Sequence, residues 1–178
     1  ECHEGWCTEA QGLSLRNVKI TVEDTVKHRD IYEDMGEMIF THYGISGPMV
    51  LSPSSHMRNM EKGRYKIHID FKPALTYEQL DKRIQRDLLE CSNKNLYNTL
   101  SLLLPRTMIP ITVKLTKLNG NLKSNQVTKE MRGELVDFLK DITLTVTDFR
   151  PIDEAVITSG GVDISEVNPK TMESKLVK

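Results

Sequence analysis

The hydrophobic period of this chain changes twice, and that restricts the fold more than any other feature. From Leu13 to Val22 apolar and polar residues alternate, with Leu13, Leu15, Ile20 and Val22 separated by Ser14, Arg16, Lys19 and Thr21 and one slip near Asn17. A period of two is the spacing of a strand with one buried face. Tyr65-Lys-Ile-His-Ile-Asp-Phe71 alternates in the same way and stops at Pro73. Between Thr76 and Asp141 the period becomes helical. Leu80, Ile84 and Leu88 recur every four residues behind Thr76-Tyr-Glu-Gln79, a capping-box pattern that predicts a helix over 77–90. Further helical segments are expected over 96–104, 108–118 and 129–140, divided by Pro105, Asn119-Gly-Asn121 and Ser124-Asn-Gln126. Pro110 fits only in a first turn, where a missing N–H does no harm. Alternation returns at Ile142, Leu144 and Val146, and Ala155-Val-Ile157 reads as one more strand. Between Lys27 and Phe40, two short stretches around Glu33-Asp-Met-Gly-Glu37 read as a β-hairpin with Gly36 supplying a positive φ. This order of elements predicts an α+β protein. A discontinuous β module over 1–75 and 142–178 is interrupted by a small helical bundle over 76–141.

A chain of 178 residues buries about 70% of its unfolded surface, enough to fold without staples. With 38% hydrophobic residues, 28% charged residues and a net charge of −1, neither disorder nor a polyelectrolyte surface is indicated. The helical stretch carries 11 Lys or Arg against 8 Asp or Glu, a bias too small to imply a nucleic-acid partner. No apolar run approaches the ~20 residues that span a bilayer, and no signal peptide opens the sequence, so a cytoplasmic protein without a membrane partner is expected. Cys2, Cys7 and Cys91 read as free thiols of a reducing compartment. Cys2, His3 and Cys7 lack a second ligand pair at zinc spacing, so no metal is expected.

Two short runs carry the functional information: Phe40-Thr-His-Tyr-Gly-Ile-Ser-Gly-Pro48, and Thr158-Ser-Gly-Gly-Val162 followed by Pro169-Lys-Thr-Met-Glu-Ser-Lys175. In the first, Gly44-Ile-Ser-Gly-Pro48 lacks the final glycine of a nucleophile elbow, and no acid and base complete a triad around Ser46. Ser46 suits a helix N-cap, with Pro48 in the first turn of a helix toward His56 that Pro53 would shorten to about two turns. Alternatively, the same loop and helix start offer backbone N–H groups to an anionic or carbonyl group, with His42 and Tyr43 lining the pocket. His42 is the one candidate for proton transfer, because imidazole titrates near neutrality. Gly160-Gly161 permits close approach of a planar partner, with Ser159 alongside, although on two glycines alone a turn is the simpler reading. Asp148, Asp153 and Glu154 read as solvated turn residues.

These runs, with Gln11-Gly-Leu-Ser-Leu-Arg-Asn-Val18 and Phe149-Arg-Pro-Ile-Asp-Glu-Ala-Val156, resemble in order and spacing the BaiN/YhiN-like, aminoacetone oxidase-like family of NAD(P)/FAD-dependent flavoproteins. The resemblance implies a translation-factor-like antiparallel β-barrel interrupted by a helical subdomain. It also implies that the chain is a segment inserted into a dinucleotide-binding domain of the same polypeptide, with the frame running on past Lys178. No Gly-x-Gly-x-x-Gly turn is present, so this segment is not expected to hold FAD or to act alone. It would cover the flavin and shape the pocket for a small-molecule substrate, with NAD(P)H as redox partner. Thr41, His42, Tyr43, Gly44, Ser46 and Gly47 are the flavin- or substrate-facing candidates of the first run. Thr158, Ser159, Gly160, Gly161 and Val162 are those of the second, expected beside the isoalloxazine. A free-standing module that binds protein or nucleic acid is the competing expectation.

Overall fold

A computed structural model describes residues 1–156 and 161–176. Its centre is a five-stranded antiparallel sheet in the order β3-β2-β1-β4-β5, built from β1 (Ser14–Asp24), β2 (Arg29–Thr41), β3 (Gly44–Ser46), β4 (Tyr65–Asp70) and β5 (Ile142–Thr145). In β1 the alternation buries Leu15, Val18, Ile20 and Val22. The slip near Asn17 is a bulge between Leu15 and Val18 opposite β2, with Asn17 at φ 55°.

The sheet closes on itself through the first residues of the chain. Cys2 bridges to Val146 at the end of β5, and on its other side its N–H donates to the Tyr43 carbonyl at 2.9 Å, next to β3. The His3 N–H donates to Thr145 and the Thr147 N–H to Glu1, at 2.9 and 3.0 Å. A strand-like tripeptide thus fills the gap between the two edge strands and makes a small barrel, which leaves no free edge at that seam. Gly44 allows this closure. Its φ is 137°, and a Cβ there would lie 2.8 Å from Cys2 Sγ and 2.9 Å from the Cys2 backbone nitrogen.

The helices are α1 (Trp6–Glu9), α2 (Pro48–Ser54), α3 (Tyr77–Glu90), α4 (Leu96–Leu100), α5 (Met108–Leu115) and α6 (Lys129–Lys140). The last four lie between β4 and β5, which pair with each other across the interruption. Helix α3 begins at Thr76 with both halves of the capping box formed. Leu80, Ile84 and Leu88 of α3 and Leu135 and Leu139 of α6 are buried, continuous with the barrel interior. Lys140 at the end of α6 pairs with Asp70 and donates to the Leu75 carbonyl at 2.8 Å, fastening the helices to β4.

Three expectations are corrected. Gly36 is no turn residue: β2 runs unbroken through it, opposite Val18, and a Cβ there would meet Met49 Cγ of α2 at 3.0 Å. The hairpin turn lies instead at residues 25–28, between β1 and β2, with His28 at φ 48°. Ser46 does not cap α2. It ends β3, Gly47 at φ 108° stands in the cap position, and the two-turn helix starts at Pro48. Ala155 and Val156 form no strand but follow a 3-10 turn over Ile152–Glu154, and both are exposed; Ile157 lies outside the described residues.

Candidate functional site

A cleft of about 660 Å³ opens beside the barrel seam. One wall is Tyr43, Ile45 and Ser46 of the β2–β3 connection with Val50 and Leu51 of α2, and the other is the segment from Asp148 to Val156. Met57, Ile67 and Val146 supply apolar surface, and Cys2 stands at the seam itself. Mostly apolar walls with a few polar groups are the usual make-up of a small-molecule site.

Arg150 organises the second wall. Its guanidinium lies 4.6 Å from the Tyr43 ring centroid, donates to both Glu154 carboxylate oxygens at 2.7 and 2.6 Å, and donates to Glu1 Oε1 at 2.6 Å. The hydrogen bonds to Glu154, then to Glu1, push the guanidinium even further above its ordinary range. Arg150 is therefore a fixed cation laid over an aromatic face. Glu154, read from sequence as a solvated turn residue, is its bidentate partner and lines the cleft. The signal was available: Arg and Glu four residues apart inside Phe149-Arg-Pro-Ile-Asp-Glu154. Among the described residues, no hydrogen bond engages the Tyr43 or Ser46 hydroxyl, so each offers a free donor at the cleft.

The first run is thus divided by the structure. Tyr43 and Ser46 line the cleft. His42 sits at the hairpin tip, exposed and outside the cleft wall, its carbonyl accepting from Thr8 Oγ1 at 3.1 Å and its ring edge-on to Tyr43 at 4.9 Å. Thr41 pairs with Gly44 across the hairpin, and its buried Oγ1 has no partner among the described residues. Gly44 and Gly47 have packing reasons for lacking a side chain, since a Cβ on Gly47 would approach Met38 Cα at 3.2 Å. In the second run Gly161, at φ 132°, has open space around it and Val162 is exposed. Thr158, Ser159 and Gly160 lie outside the described residues.

Cys2 and Cys7 are free thiols that interact with each other. The Cys7 thiol holds that of Cys2 below its ordinary range, whereas the Cys2 thiol and burial push that of Cys7 up. Among the described residues, no group of three or more His, Cys, Asp or Glu could hold a metal ion, and no helix is long and apolar enough to cross a membrane.

A closed antiparallel barrel with a helical block between two paired strands defines the class, and comparison with known proteins gives it a family. The chain belongs to the family described as HI0933-like protein barrel and H2TH domain, which matches residues 2–157. It is 31% identical over 145 residues to the 3-dehydro-bile acid delta(4,6)-reductase of Clostridium scindens, covering 80% of this chain and 36% of that protein. Ribosomal RNA dihydrouridine synthases of Haemophilus influenzae and Escherichia coli are 28% and 27% identical over 141 and 166 residues, covering 79% and 93% of this chain. The chain spans only 33% and 38% of those two proteins. It is related to a domain of an oxidoreductase, and the barrel and helices are the part that it shares.

Proposed function

We propose that this chain is the inserted, substrate-side domain of an FAD-dependent reductase, and that the cleft at the barrel seam is one wall of its substrate pocket. The observation that carries this reading is the surface of residues 149–156 and 161–176. Ile152, Val156, Val162, Ile164, Met172 and Leu176 are all between 70% and 88% exposed, in a chain whose other large apolar side chains are mostly buried. A concentration of exposed apolar residues marks a contact surface. A dinucleotide-binding domain of the same polypeptide is the partner that the family and the partial coverage of its relatives favour.

The residues present suit the substrate side of a flavin and not its cradle. No glycine-rich strand-to-helix turn exists here to seat a pyrophosphate. Tyr43, with Arg150 fixed over its ring, and Phe149 offer planar surface, and the Tyr43 and Ser46 hydroxyls offer donors to a carbonyl oxygen. When bound, the flavin supplies the hydride and electron chemistry, with NAD(P)H as the reductant. This domain orients the substrate and excludes water. The names of the relatives share one operation, the addition of two hydrogens across a carbon–carbon double bond. A substrate with such a bond next to a carbonyl fits both that operation and the donors in the cleft.

The test uses the whole protein. Tyr43→Phe and Ser46→Ala are expected to lower kcat/KM for an enone substrate by about 100-fold each, the range for one lost transition-state donor, with an unchanged flavin spectrum. Unaltered turnover in both variants contradicts the assignment of this cleft. Gly161→Val tests the second run separately, with impaired flavin binding or turnover as the expected outcome.

A further inference from the structure

A second cavity, of about 490 Å³, opens at one end of the sheet, and its chemistry is opposite to that of the apolar cleft. Asp24 ends β1, Arg29 starts β2 and Tyr65 starts β4, and the strand register sets Arg29 and Tyr65 on the two sides of Asp24. The walls carry Lys27, Arg29, His56 and Arg58 together with Asp24 and Asp30. Of the nine arginines in the chain, six are ion-paired to carboxylates: Arg16, Arg64, Arg83, Arg86, Arg132 and Arg150. Arg29 and Arg58 are exposed, and among the described residues neither guanidinium has an ion pair or a hydrogen bond. Two of the three unpaired guanidiniums therefore share one cavity.

The carboxylates leave most of this charge uncancelled. Asp24 is 1% exposed and belongs to Arg64, whose Nη2 donates to Oδ2 at 3.1 Å, while the N–H groups of Val26 and Lys27 donate to Oδ1 at 3.2 and 3.3 Å. Lys27 Nζ stands 3.9 Å from the same Oδ2, beyond hydrogen-bond reach. With Asp24 matched by Arg64, the walls hold three fixed positive charges, Lys27, Arg29 and Arg58, less one for Asp30, a net of +2. The far wall is fastened to β4. The Tyr65 hydroxyl donates to the Arg58 carbonyl, and Arg64 Nη1 donates to the Asn59 carbonyl at 3.3 Å. The His56 ring is stacked on Tyr32, with centroids 5.5 Å apart.

We infer that this cavity binds a small molecule through a terminal phosphate, a dianion that balances the net charge of its walls. Guanidinium forks present paired N–H donors to phosphate oxygens, and Lys27 supplies a point charge. A concave site of this volume suits a small molecule better than an acidic protein surface. A carboxylate or a phosphodiester carries one charge and would leave half of the cavity's excess unmatched. Arg58 also lines the cleft at the barrel seam, so the two cavities are neighbours.

The test is an amide proton–nitrogen NMR titration of the full chain with inorganic phosphate, at constant ionic strength and at about pH 8, above the second pKa of phosphate. Saturable shifts at Lys27, Arg29, Ile31, His56 and Arg58 are expected, with a Kd on the order of 1 mM. Arg29→Gln and Arg58→Gln should each weaken binding by about tenfold or more, the range for one lost charge-assisted hydrogen bond. The same spectra show whether each variant is folded. Lys82→Gln and Lys170→Gln, equal charge changes at exposed sites elsewhere, should bind like the parent chain. Acetate and dimethyl phosphate, both monoanions, should bind at least about tenfold more weakly than phosphate. Shifts that do not saturate or that scatter over the surface, equal weakening by the two lysine controls, or monoanions that bind as tightly as phosphate overturn the inference. Binding is read without flavin, so its failure leaves the reductase reading intact.

Discussion

The barrel and the segment that follows it are built on opposite terms. In the barrel, Ile20, Val22, Phe40, Ile69 and Leu144 are wholly buried, and the seam is sealed by backbone hydrogen bonds of Cys2 to one edge and of Glu1 and His3 to the other. Among the described residues from Phe149 onward, Arg150 reaches back to Glu1 and Tyr43, the 3-10 turns at Ile152–Glu154 and Ile164–Glu166 and a Val167–Ser174 bridge give local order, and Ile152, Val156, Val162, Ile164, Met172 and Leu176 face outward. Local hydrogen bonds with exposed apolar side chains are what one half of an interface looks like before its partner is added. The first region has satisfied its own surface, whereas the second has surface left over.

Mutations should separate the two regions sharply. Leu80→Ala or Ile69→Ala removes a fully buried side chain and is expected to cost about 2–5 kcal/mol in urea unfolding. Ile152→Asp and Ile164→Asp should shift the stability of this chain by about 0.5 kcal/mol or less, because the two side chains are 83% and 88% exposed. Should these two substitutions prove as costly as the core ones, the contrast fails. Next in size is Gly44→Ala, which forces a side chain into φ 137° against Cys2 at the seam; strain of this kind costs about 1–3 kcal/mol. A value near zero would mean that the seam is not closed through Cys2.

Thr76→Ala should cost about 1 kcal/mol by removing one half of the α3 capping box. A pH effect is expected at the turn joining β1 and β2. Burial alone would push the Asp24 carboxyl up, but the Arg64 guanidinium at 3.1 Å and the N–H groups of Lys27 and Val26 hold it below its ordinary range. A lowered folded-state value gives stability that is full above the unfolded pKa and is lost as pH falls through the folded one. Acid unfolding of Asp24→Asn should accordingly be shallower over that window than that of the parent. Smallest of all is a chemical contrast between thiols: iodoacetamide should alkylate Cys2 ahead of buried Cys7 and Cys91, and Cys7→Ala should slow that reaction by removing the neighbouring thiol that lowers the Cys2 pKa.

Where one residue pattern decided the outcome locally, it was legible in the sequence. Thr76 and Gln79 with Leu80, Ile84 and Leu88 placed α3 to the residue, and the slip at Asn17 was a bulge. Reading failed where a partner distant in sequence decides. Gly36 resembles a turn because residues 29–36 of β2 are largely exposed and polar, and its reason, the Met49 side chain, lies on another element. Ala155 and Val156 have strand-forming neighbours but no strand to pair with. Closure of the barrel by Glu1, Cys2 and His3 leaves no trace in periodicity, since three residues are too few to show one. At the cleft, Tyr43 and Ser46 were within reach of sequence, but the Arg150 guanidinium over Tyr43 required the fold.

The central claim is that residues 149–156 and 161–176 are one face of an interface with a flavin-binding domain of the same polypeptide. Amide hydrogen exchange, followed in this chain and in the full-length enzyme under identical conditions, tests it most directly. Protection of residues 149–156 and 161–176 that rises steeply in the full-length enzyme, while α3 and β1 exchange equally slowly in both, is the predicted result. Equally fast exchange of those segments in both forms would contradict it.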